Sequence, residues 1–298
     1  MNTIDIETEL RSTFLPVSGR RVIVRAASGA EDLLLLEERE NDLALALALV
    51  NRLVRPADDE ATGGEAADWS HLTASDLDVL VLRLRQGMLG NRVLADVPCT
   101  GAGCGRRIDI SFEIDTYIGH HFAGDFGAKN LKTAMPIAGE PGWFNLVSKG
   151  GKENSAAVAS GHDGAESTEK IQFRLPRVGD LLAASHCADP AEELARRCIR
   201  PVEISSRERR RVEGVMEAMA PSLSHDLEGV CPECGATVKV YFDARRYCLR
   251  ELKDRSAFVY QDIDVLARRY HWAEADILAM PRHRRMNYAE LARQEVEP

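Results

Sequence analysis

The chain has 298 residues, 45% hydrophobic and 29% charged, with a formal net charge of −9. That composition is soluble and globular and long enough for two cores, while the acidic balance argues against a protein that wraps nucleic acid over its whole surface. No apolar run reaches the roughly 18 residues of a membrane span, and Met1-Asn-Thr-Ile-Asp-Ile-Glu lacks the basic-then-apolar order of a secretory signal.

A short strand leads to Glu31-Asp32-Leu33-Leu34, after which Leu43, Leu47, Val50 and Val54 lay one apolar stripe at helical spacing. Ala and Leu are strong helix formers and the segment is too long for most strands, so its Ala–Leu alternation reads as a helix. The chain turns at Arg55-Pro56, and residues 57 to 69 read as an acidic surface loop. A second helix opens at the N-cap Thr73, with Asp76 in its first turn and Leu77, Leu80, Leu84 and Met88 as its stripe. Cys99-Thr-Gly-Ala-Gly-Cys104-Gly follows, then a strand with Ile108, Ile110 and Phe112 in alternation.

Residues 126 to 170 are rich in Gly, Ser, Ala, Lys and Glu, with little apolar periodicity. They bury too little to offset ordering and read as a flexible linker or insertion, in which Trp143 and Phe144 dock locally. The earlier order then starts again. Gly179-Asp180-Leu181-Leu182 resembles Glu31-Asp32-Leu33-Leu34, and Cys198-Ile199-Arg200-Pro201 resembles Leu53-Val54-Arg55-Pro56. Ser205 and Glu208 form a capping box ahead of Val212, Val215, Met216 and Met219. Cys231-Pro-Glu-Cys234-Gly is followed by Val238, Val240 and Phe242. Thr73 to Cys99 and Ser205 to Cys231 are both 26 residues. Beyond Tyr247–Leu252 the pattern gives one helix ending near Tyr270, one over Glu274 to Met280, and one restarting after Pro281.

The expected fold is therefore α+β: two homologous helix-plus-zinc-knuckle halves in pseudo-twofold relation, then a C-terminal helical module. The segments are 1–125, a linker or insertion at 126–170, a second half at 171–252, and the module at 253–298. Without a signal sequence the seven cysteines read as cytoplasmic thiols or metal ligands. Cys99, Cys104, Cys231 and Cys234 supply the sulfurs of a closed structural zinc site. One ion shared across the halves is the economical arrangement, and separate sites or four free thiols are the alternatives. Cys187, Cys198 and Cys248 have no partner at ligand spacing and read as ordinary half-buried residues. His120, His121 and His186 have no acid or nucleophile at motif spacing. No hydrolase, metalloprotease or phosphate-loop motif is present, so neither catalysis nor a small-molecule substrate is expected. Arg207, Arg209, Arg210 and Arg211 read as a solvated helix face.

The string Leu266-Ala-x-x-Tyr270-His271-Trp272-x-Glu274-x-x-Ile277-Leu278-x-x-Pro281-x-x-Arg284-Arg285-x-x-Tyr288 resembles the ending of baseplate proteins of T-even-type phage tails and related bacterial contractile injection systems. Leu82-Arg83-Leu84-Arg85-Gln86-Gly87 and Cys231-Pro-Glu-Cys234-Gly with Phe242-Asp243 share that resemblance. It implies a non-enzymatic structural or assembly component of a phage-tail-like particle, with other baseplate or tail proteins as partners. Tyr270, His271, Trp272, Arg282, Arg284, Arg285 and Tyr288 are then candidate partner-binding residues, with local packing the competing role for the aromatics. The alternative is a zinc-ribbon nucleic-acid-binding regulator, disfavoured by the acidic charge.

Overall fold

The computed structural model describes residues 11–38, 41–57, 68–122, 132–147 and 170–294. The signal-sequence reading at the N-terminus, most of the acidic loop and most of the linker reading lie outside these residues. Two compact units are formed, one from Met1–His121 with Ser222–Pro298, the other from Phe122–Pro221.

In the first unit, β1 (Arg11–Phe14), β2 (Arg21–Val24) and β3 (Val54–Pro56) make an antiparallel sheet in that order. Between β2 and β3 run α1 (Gly29–Glu37) and α2 (Asp42–Leu53). The sequence pattern merges these into one helix. The Asn41 side chain, accepting from Ala44 N at 2.9 Å, begins a new one. The buried face of α2 is Leu45, Leu49, Val50 and Leu53, not the expected stripe through Leu43 and Leu47, and Val54 already belongs to β3. Alternating Ala and Leu put leucines on both faces, so spacing alone could not fix the phase.

Helix α3 (Ala74–Leu89) is buried over most of its circumference from Ser75 to Leu82 and packs on α2 and on α8 (Ala244–Ser256). Thr73 caps it as expected, accepting from Asp76 N at 3.2 Å. Asp76 is itself buried, its carboxylate taking Val17 N and Ser18 N at 3.0 and 2.9 Å. Trp69, placed by the sequence in a surface loop, is buried and donates Nε1 to Val54 O at 3.2 Å. Buried Asp78 lies 3.5 Å from Arg245 on α8. Burial pushes its carboxyl up to about 6, with Arg245 pulling the other way. A raised folded-state value means the neutral form is favoured, so this group's contribution is full below the ordinary carboxylate range and is lost as pH rises through about 6. Urea titrations of wild type and Asp78→Asn should therefore diverge between pH 4.5 and 7.5, the wild type losing on the order of 2 kcal/mol relative to the variant. Parallel pH profiles would refute this.

The antiparallel hairpins β4 (Arg92–Pro98) with β5 (Arg107–Glu113), and β10 (Ser224–Val230) with β11 (Thr237–Asp243), complete the unit with α4 (Ile114–His121) and the C-terminal helices α9 (Val259–Tyr270), α10 (Glu274–Ala279) and α11 (Arg282–Gln294). The three C-terminal helices fall where the sequence set them. Helices α4 and α8 follow their hairpins directly, where the pattern offers only a linker.

In the second unit, β6 (Ala134–Pro136), β7 (Trp143–Leu146), β8 (Gln172–Arg174) and β9 (Ile199–Arg200) form an antiparallel sheet. Its helices are α5 (Val178–Ser185), α6 (Pro190–Cys198) and α7 (Ser206–Met219). Residues 132–147 are thus a structured hairpin within the segment expected as a linker. Its reason is Phe144, stacked on fully buried Phe173 at 5.7 Å, and Trp143, covered by the Arg200 guanidinium at 3.7 Å. Ser205 and Glu208 form the expected capping box. The arginine face of α7 divides: Arg207 and Arg210 are exposed as expected, whereas Arg209 pairs with Glu192 and Glu213, and Arg211 donates to Val147 O.

From β1 to α4 and from β7 to α8 the elements come in the same order: two paired strands, two helices, a third strand, a helix, a hairpin and a helix. The correspondence refines one sequence alignment. Glu31 and Asp180 both sit at the third position of their helices, each bound by an arginine six residues earlier, Arg25 and Arg174. Asp180 therefore matches Glu31, which frees Asp32 for a different task. The two compact units do not follow the two halves expected from the sequence, because β10, β11 and α8 belong with the first unit.

Candidate metal centre

Each cysteine pair sits on a tight turn between the strands of its hairpin. Cys99 N donates to Arg106 O at 2.7 Å and Cys231 N to Ala236 O at 2.9 Å, closing the two loops the same way. Gly105 and Gly235, each just after the second cysteine, have φ of 59° and 70°, as the sequence pattern requires. The wider first loop brings Gly101 against the second: a Cβ there would lie 2.9 Å from Cys234 Sγ and 2.9 Å from Ala236 Cβ.

The four sulfurs converge. Cys99 Sγ is 3.6 Å from Cys234 Sγ and Cys104 Sγ is 3.9 Å from Cys231 Sγ, with all four within 4.8 Å of one another. Disulfide sulfurs would be about 2 Å apart. A tetrahedral ion with metal–sulfur bonds of about 2.3 Å needs sulfurs about 3.8 Å apart, and the observed distances bracket that value. Cys99 and Cys231 are buried, Cys104 is half-buried and Cys234 is exposed. The N–H groups of Cys234 and Glu233 pull the Cys231 thiol down to about 7. Gly101 N–H also favours a thiolate at Cys99, but burial and the other three sulfurs outweigh it and push that thiol up to about 12. Cys231 is thus the readier of these two to ionise, and the Cys99 proton leaves in exchange for a cation. No family model, curated protein or solved structure matches this chain.

Around the sulfurs lies a small shared core of Ile108 and Val238, flanked by Val97, Ala236 and Val240. Below it Phe112 meets Phe242 edge-on at 5.2 Å. Tyr117 of α4 donates to Leu223 O at 2.7 Å, and Tyr247 of α8 donates to Leu94 O at 2.8 Å, so each hairpin is gripped by the other's helix. These tyrosines escaped sequence reasoning, although the offset relating Phe112 to Phe242 relates them too. His121 and His225 are also joined, ring nitrogens 3.3 Å apart, with His121 Nδ1 2.8 Å from Tyr117 O. Nothing in the spacing of His225 announced that pairing.

Of the other cysteines, Cys198 and Cys248 are fully buried and Cys187 is exposed, rather than all half-buried. The C-terminal candidates divide. Tyr270 stacks on Trp272 at 4.7 Å and Trp272 meets Tyr288 at 5.2 Å, over a core of Leu266, Ile277, Ala289 and Ala292. The three rings pack on one another and stay half-buried. Arg282 and Arg285 are buried and pair with Asp32, and Arg285 also with Asp262, so they do not belong to an exposed basic patch. Only His271 and Arg284 of the candidates are exposed. No helix among the described residues is long and apolar enough to cross a membrane.

Proposed function

We propose that this chain is a non-enzymatic structural or assembly component of the baseplate of a contractile, phage-tail-like injection particle, stiffened by one structural zinc ion held by Cys99, Cys104, Cys231 and Cys234. The observation that carries the metal reading is the sulfur cluster, whose spacing suits a tetrahedral ion. Four thiolates fill such an ion, leaving no position for substrate or activated water. Zinc is the borderline-soft, redox-silent choice for that donor set.

The crosswise pairs Cys99 with Cys234 and Cys104 with Cys231, and the reciprocal tyrosine bonds, support one ion shared across a pseudo-twofold axis between two related halves. The baseplate assignment rests on the sequence resemblance. It gains support from the motif's coherence: Leu266, Tyr270, Trp272, Ile277, Arg285 and Tyr288 together build and lock one module. Elemental analysis should return one zinc per chain, and mass spectrometry of isolated particles or assembly intermediates should find the chain with sheath, spike or wedge proteins. A metal-replete monomer absent from both particles and intermediates would overturn the assignment.

A further inference from the structure

Between β1, β2 and β4 on one side and α3, α8 and α11 on the other lies a groove of about 970 Å³, wholly within the first unit. Phe14, Leu94, Phe258 and Met286 line it and are 58%, 57%, 58% and 48% exposed, with Leu84 and Met88 beneath. Contiguous large apolar side chains left in water mark a surface that another molecule covers. Six arginines line it, of which Arg25, Arg83, Arg85 and Arg282 are already paired with Glu31, Asp115, Glu251 and Asp32; Arg92 and Arg255 are exposed and have no carboxylate partner among the described residues, on a protein of net charge −9.

We infer that this groove binds an acidic polypeptide segment with large aliphatic side chains, contributed by another protein. A phosphate backbone would satisfy the arginines but leave Phe14, Leu94, Phe258 and Met286 uncovered, whereas an acidic, apolar peptide satisfies both. The arginines differ in what they have to offer. Arg85 is spent on Glu251, Gly90 O and Arg92 O, whereas the Arg92 side chain reaches only Ser111 among the described residues, at 3.4 Å. Burial holds the Arg282 guanidinium below its usual range; Asp32 opposes this, and neighbouring Arg285 and Arg255 add to it. An incoming carboxylate near Arg255 would relieve that crowding. Residues 83–87 and Arg282, His283 and Met286, from two stretches that resemble the baseplate family, line the same groove.

This inference deepens the assembly reading and rests on it for the existence of a protein partner. The probe is a fluorescein-labelled peptide of about a dozen residues alternating Leu with Glu, titrated against the full chain by fluorescence anisotropy. Binding should weaken about tenfold in Phe258→Asp and in Met286→Asp, and lose most of its salt dependence in Arg255→Glu. No binding, equal binding of a Leu–Lys peptide, or binding unchanged in all three variants overturns the inference. A benzoylphenylalanine photo-crosslinker in place of Met286 identifies the occupant in the native cell. Adducts with an acidic, aliphatic segment of another protein support the inference. Adducts with nucleic acid, with a second copy, or with residues 1–10 of the same chain overturn it. A chain present in the particle whose groove fails these tests sinks this inference alone, leaving the assembly reading intact.

Discussion

Cys231→Ser should abolish stoichiometric metal binding and release both hairpins while sparing the second unit. Two-stranded hairpins are marginal in water, and among the described residues the core around the sulfurs holds only Ile108 and Val238 as buried aliphatic residues, with the Phe112–Phe242 contact below it. Fully burying such a side chain contributes about 1.5–3 kcal/mol, which does not order four strands. Structural zinc contributes apparent binding energies of about 10–16 kcal/mol in small zinc domains. Even a fraction of that is comparable with the whole margin of a domain, about 5–15 kcal/mol. A fall in Tm of more than about 10 °C is expected on this scale. Amide exchange should accelerate over 92–113 and 224–243 and stay unchanged in β6 to β9. Cys187→Ser, at an exposed thiol outside the cluster, is the control. Because Cys99 sits near 12 while Cys231 sits near 7, metal binding must expel protons, and its affinity should rise from pH 6 to pH 8. A Cys231→Ser protein with wild-type Tm and hairpin protection would eliminate a structural role for the cluster.

What the sequence made legible was mostly local. Caps at Thr73 and Ser205, the glycines after each second cysteine and the proline before α11 each act within one turn of chain, so their residue types disclose them. The convergence of Cys99, Cys104, Cys231 and Cys234 was legible for a different reason: each pair is incomplete alone, and the repeat supplied the other. Where the reading failed, the deciding contact was distant. Asp76 looked like a first-turn acid serving the helix dipole, yet its carboxylate caps backbone at Val17 and Ser18. Arg282 and Arg285 looked like a surface patch because two helices hide the carboxylates they meet, Asp32 being more than 200 residues away in the chain. The hairpin at 132–147 was missed because so short a pair of strands lacks enough alternation to stand out from a polar segment.

That buried pairing sets the second large effect. Asp32, Asp262, Arg282, Arg285 and Arg293 form one network, in which Arg285 bridges Asp32 at 2.5 Å and Asp262 at 3.1 Å while Ser256 donates to Asp32 at 2.8 Å. Removing one partner of a buried pair leaves an uncompensated charge, at a cost of about 3–5 kcal/mol. Arg285→Met should pay that cost and loosen α9 to α11 from α1, shifting Trp272 emission to the red as its packing opens. Adding Asp32→Leu should recover part of the loss, with a coupling of about 1–3 kcal/mol in the double-mutant cycle. Gly29→Ala probes the same junction with the opposite local bias. Alanine favours a helix by about 1 kcal/mol over glycine, but a Cβ at position 29 would lie 2.7 Å from Arg285 Nη1 and 3.0 Å from Leu278 Cα. Backbone cannot yield there as a side-chain tip can, so Gly29→Ala should destabilise by about 1–3 kcal/mol despite its better propensity. A stabilised Gly29→Ala protein, or an Arg285→Met protein within about 0.5 kcal/mol of wild type in urea melts, would show that the C-terminal module is held by its apolar contacts and not by this charge network.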